Sequence, residues 1–98
     1  MNSINYIASS ALQAFSTSLQ ITANNVANIN TDGFKASRAT FQENVYSGVT
    51  ASASSTEDAV DISREATNLL SNTQGYKANL NVLKAADEMT KELLTIKA

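Results

Sequence analysis

The chain has 98 residues, a formal net charge of −2, and no histidine, cysteine, tryptophan or proline. That composition excludes disulfides, removes the commonest general base, the thiol nucleophile and most zinc-type and iron–sulfur ligand sets, and leaves no cofactor to expect. No basic block tracks a phosphate backbone, no stretch reaches the roughly eighteen apolar residues of a membrane span, and residues 1 to 31 lack the lysine or arginine of a secretory leader, so neither nucleic acid, a spanning helix nor a cleaved signal is expected.

From Ile4 the apolar side chains recur through Ala8, Leu12, Phe15, Leu19, Val26 and Ile29, stepping by three and four through the polar Thr22. This is a heptad seam, and it predicts one helix over residues 3–30 with Gly33 as its stop. The helix has no side chain charged at neutral pH, since the first in the sequence is Asp32. Such a surface suits contact with protein on several sides, where each amide or hydroxyl finds a hydrogen bond and no charge is desolvated. If copies of the chain surround a common axis, it also keeps like charges from facing one another. Asn24, Asn25, Asn28 and Asn30 then read as neutral bonding groups between chains. The alternative is that they cap and fray the helix end, as asparagine prefers.

Residues 31–57 read as an irregular or partly extended connection. Phe34 to Val49 is either a short helix, on which Phe34, Phe41 and Val45 would align, or an extended segment, and "TASASST" at 50–56 reads as a small-residue linker.

A second helix is predicted over 58–95, opened by the hydroxyl and acidic cluster at 54–58. Its seam runs through Ile62, Ala66, Leu69, Thr73, Tyr76, Leu80 and Leu83, then drifts by one position to Ala86, Met89, Leu93 and Ile96. Gly75 inside it is either a tolerated glycine or a point where another backbone comes close. The expected fold is therefore all-α, one domain over 1–98, with two long helices packed antiparallel as a coiled-coil hairpin. In it Leu12, Phe15, Leu19, Val26 and Ile29 meet Leu69, Tyr76, Leu80 and Leu83, within or between subunits.

Residues 23–35, Ala-Asn-Asn-Val-Ala-Asn-Ile-Asn-Thr-Asp-Gly-Phe-Lys, resemble without a gap the N-terminal signature of the bacterial flagellar rod and hook proteins, including Gly33 and Phe34. Val60-Asp61-Ile62, Glu65, Gln74, Tyr76, Ala78-Asn79, Val82-Leu83, Asp87 and Met89 resemble that family's terminal segment. The resemblance implies a structural subunit of the basal-body rod or hook, whose paired ends form the inner tube of the axial structure. It also implies export by the flagellar type III apparatus without a cleaved leader, and partners that are other rod or hook subunits and copies of itself. Only residues 35 to 59 separate the two motifs, so the chain looks like the family reduced to its terminal core.

Three other readings compete. An enzyme is disfavoured because no two of the carboxylates, Asp32 to Glu92, are placed to share a buried cleft. A small secreted helical hairpin with a Trp-x-Gly turn lacks its tryptophan here, and a cytoplasmic coiled-coil adaptor has no use for a charge-free helix.

Overall fold

The computed structural model describes residues 2–46 and 48–97. Helix α1 (Asn2–Ala27) is followed by strands β1 (Ser37–Asn44) and β2 (Gly48–Ser55) and by helix α2 (Ile62–Lys97). The expected all-α fold is overturned. The connection holds a two-stranded antiparallel sheet, with Ser37 opposite Ser55 and Asn44 opposite Gly48, and the architecture is mixed α/β. The molecule is a rod in outline, 64 × 24 × 14 Å, with a radius of gyration of 17.2 Å, where a compact chain of this length would have about 13 Å.

The two helices run antiparallel. Asn25 bonds Glu65, Ser18 bonds Asn72, and the Phe15 ring lies against Gly75, so each step back along α1 is matched by an equal step forward along α2. Between them the buried residues are small or polar: Ala8, Ala11, Ser18, Thr22 and Asn25 on α1, and Glu65, Asn72 and Ala86 on α2. The buried row of α2 falls about a quarter turn away from the expected stripe of Leu69, Tyr76 and Leu80. Small side chains let the helices approach closely, and that turns the bulky stripe outward.

Each helix starts or stops where a side chain takes over its free backbone groups. At the end of α1, three residues before the expected end, the Asn28 amide donates to the Asn24 carbonyl at 2.8 Å and the Thr31 hydroxyl donates to Asn28 Oδ1 at 3.2 Å. Gly33 stands beyond this stop, third in a turn closed by the Phe34 N–H on the Thr31 carbonyl. Helix α2 starts four residues later than expected, because Asp61 caps it through Ser63 N–H at 3.0 Å. The hydroxyl expected to cap it is used elsewhere: Thr56 Oγ1 donates to the Ala36 carbonyl at 2.6 Å and closes the base of the hairpin.

The hairpin lies along α1, its base beside Asn25 and its far end over Ser10 and Ile7. "TASASST" is mostly strand, and Phe41 and Val45 share no helical face, since one is in β1 and the other at the hairpin tip. Inward-facing Ala39, Phe41, Val49 and Ala51 alternate with exposed neighbours, the period expected of a half-buried strand.

Gly75 marks a close approach, by an aromatic ring and not by a backbone. A Cβ there would stand 2.5 to 2.9 Å from three atoms of the Phe15 ring, which is itself tilted against Phe41 at a centroid distance of 5.6 Å. Gly75→Ala therefore sets an overpacking cost of about 1–3 kcal/mol against the roughly 1 kcal/mol that alanine gains in a helix. The expected result is a lower melting temperature in the natural chain and a higher one in a Phe15→Leu background. Stabilisation by Gly75→Ala in both backgrounds would show that the ring does not seat there.

Candidate functional site

The polar centre of the molecule is the Asn25 side chain, 1% exposed, where α1, β1 and α2 meet. Its Oδ1 accepts the Ser37 N–H at 3.0 Å while its Nδ2 donates to the Ser37 carbonyl at 2.8 Å. The amide thus pairs with the edge of β1 as a neighbouring peptide would. Nδ2 also donates to both carboxylate oxygens of Glu65, at 3.0 and 3.2 Å. One uncharged side chain accepts from an N–H and donates to a carbonyl and a carboxylate together, which neither aspartate nor serine can do.

Glu65 is itself only 3% exposed and lies in the first turn of α2, where the helix dipole favours a negative charge. The nearby cations do not reach it: Arg38 and Arg64 both turn to Asp58, at 3.1 and 3.9 Å, in solvent-exposed pairs of the kind that add little stability. Asn25, expected at a contact between chains, thus spends its amide inside the subunit, because β1 occupies the flank of α1 that an all-helical hairpin would have left open. A second polar bond, Asn72 Nδ2 to Ser18 Oγ at 2.7 Å, lies one heptad away. Between β1 and α2, over Ser18 and Thr22, runs a polar groove of about 440 Å³.

The other residues singled out from the sequence are spread over the surface. Asn24 is exposed and Asn28 half-buried, joined in the local cap; Asn30 is exposed and Phe34 half-buried. Leu12, Phe15, Leu19 and Leu83 are half-buried, and Asn79 holds the Gly75 carbonyl at 2.9 Å. Val26, Ile29, Leu69, Tyr76 and Leu80 are exposed, Leu69 to 51% and Leu80 to 42%. Ser18 and Ser37 belong to no motif of the sequence, and Glu65 entered only through the resemblance to the family's terminal segment, with no role attached. The signal for Glu65 and Asn72 was present, since Glu65, Asn72, Asn79 and Ala86 stand seven apart, but polar residues do not register in an apolar seam.

Residues 6–35 match the model of the flagella basal body rod protein family, and residues 58–96 match that of the flagellar basal body rod FlgEFG protein C-terminal region. The chain belongs to the flagellar rod and hook protein family. No curated protein matches it. The two matched regions contain most of α1 with its Asn-rich end and nearly all of α2, so Asn25 and Glu65 are contributed one by each. The hairpin falls between them. This rod-family chain has a structural role in the flagellar basal body, alongside other rod or hook subunits, and belongs among proteins that are not enzymes. Among the described residues no helix is long and apolar enough to cross a membrane.

Proposed function

We propose that residues 1–98 act as one unit that polymerises with copies of itself and with other rod or hook subunits into the axial structure, its helices forming coiled-coil contacts with those of neighbours. One observation carries this reading: the seam inside the subunit is built from alanine and polar side chains, while Leu69, Leu70, Tyr76, Leu80, Leu93 and Leu94 face outward. A monomer rarely leaves so many large apolar side chains exposed along one helix, and such exposure marks a surface that meets protein. The neutral flank of α1 supports the same reading, since its copies can approach without charge repulsion. Export by the flagellar type III apparatus is part of this proposal and rests on family membership. The test is sedimentation and electron microscopy of the purified protein over a range of concentrations. Concentration-dependent fibres or rods are expected, and a monomer at every concentration, alone and mixed with rod or hook subunits, would overturn the proposal.

A further inference from the structure

The hairpin presents two large side chains to water at its tip. Val45 and Tyr46 at its tip are 96% and 91% exposed, and the backbone that carries them is pinned on both sides. The Tyr46 N–H donates to Asn44 Oδ1 at 2.8 Å, and the Val49 N–H donates to Ser10 Oγ at 3.0 Å. Gly48, with a φ of +74°, sits so closely over the Ser10 side chain that any Cβ there would collide with it. The tip is therefore held on α1 with a valine and a tyrosine standing out from it, in a chain whose buried apolar residues, among the described residues, are all alanine.

The same chain carries a receptacle. Ala11 and Ala14 of α1, the rings of Phe15 and Phe41, and Val49 line a pit of about 330 Å³ with Gln42 and Glu43 among its walls. Its lining is mostly carbon, and its volume exceeds the roughly 150 Å³ that accommodates a benzene ring in a protein interior. Gln42 and Glu43 offer acceptors for a phenol hydroxyl. From this we infer that the hairpin tip of one subunit inserts Tyr46, backed by Val45, into the pit between α1 and the hairpin of a second copy.

Knob and pit are different patches on one surface, so a contact in which each copy inserts into the next is heterologous, and it runs on as a polymer where its rotation does not close a ring. They are separated by two to four strand residues, or about 7–14 Å, along a hairpin that lies parallel to the long axis. Successive copies would thus be staggered by a fraction of the 64 Å length and overlap side by side. This inference rests on the polymerisation proposed above and names one of its contacts.

The experiment uses the absence of native cysteine. Two full-length populations, Tyr46→Cys and Ala14→Cys, are mixed and oxidised, so any disulfide joining the two kinds must cross between molecules. Mixed dimers in clear excess over either homodimer are expected. In parallel, Tyr46→Ser should raise the concentration at which polymer appears about tenfold or more, as loss of a buried interface aromatic does, while Tyr46→Phe stays close to the natural chain. Monomer circular dichroism should be unchanged in both, because the side chain stands in water. If Tyr46→Ser polymerises like the natural chain, or if Tyr46→Cys pairs chiefly with itself, the contact is wrong while the polymerisation reading stands. If the natural chain does not polymerise at all, both fall.

Discussion

Replacing Asn25 by alanine should destabilise the isolated subunit by about 3 kcal/mol, a large share of the roughly 5–15 kcal/mol that holds a domain together. The substitution removes every hydrogen bond of a buried amide and leaves three groups without partners: the Ser37 N–H, the Ser37 carbonyl and the Glu65 carboxylate. A buried group left unsatisfied costs about 1–3 kcal/mol, and a charged one more. Asn25→Asp should be worse still, although it changes a single atom. It sets a second carboxylate about 3 Å from that of Glu65 and removes the donor to the Ser37 carbonyl, so attraction becomes repulsion between two charges held out of water. Urea unfolding followed by circular dichroism measures both. A double variant, Asn25→Asp with Glu65→Gln, restores an amide–carboxylate pair with the roles exchanged and should recover at least 1 kcal/mol of the loss by the logic of a double-mutant cycle, on the order of the coupling between contacting residues. If Asn25→Asp lies within about 0.5 kcal/mol of the natural chain, as surface substitutions do, the three-element clamp does not form in solution.

The opposite pattern is expected on the outer face of α2. Leu69→Ser and Leu80→Ser should each lower the stability of the isolated subunit by about 1 kcal/mol or less, because both side chains already stand half in water. In the polymer the same leucines lose their remaining exposure, and each truncation should raise the concentration needed for assembly about tenfold, equivalent to 1.4 kcal/mol per contact. The double variant should be a folded subunit that does not assemble and does not support swimming. Thermal melting and sedimentation of the same samples separate the two effects. A loss of about 2–5 kcal/mol per leucine in the isolated subunit would instead mean that these residues form its interior, as fully buried leucines do. With both results Asn25 and the leucines would exchange the parts that their chemistry first suggests: the amide would hold the subunit together, and the leucines would meet its neighbours.

Much of the chain was legible from its residues. Two long helices follow from local rules, steps of three and four and acids near a helix start, and the family signature at the two ends was visible as a resemblance, whereas the stop of α1 came three residues before the expected end, at the Asn24–Asn28 cap instead of at Gly33. Those rules concern residues within about a turn of one another, so one sequence contains all the information they need. The charge-free flank of α1 could be read in the same way.

What tertiary structure decided was which face of each helix turns inward. Apolar periodicity locates a stripe but does not say whether the stripe meets the chain's own second helix or another molecule, and here the inner seam went to small residues, Ala8, Ala11 and Ser18, and to polar ones that bond one another across it, Asn25 with Glu65 and Asn72 with Ser18. The hairpin was hidden for a related reason. Its inward face is Ala39 and Phe41 with Val49 and Ala51, in which two alanines among serines and threonines carry little hydrophobic contrast, and it becomes a sheet because α1 offers Asn25, Ser10 and Phe15 to hold it. Asn25 shows the limit most plainly: its composition marked it as a bonding group, but its partners are 12 and 40 residues away, and an amide acquires its meaning from whatever the fold brings within 3 Å of it.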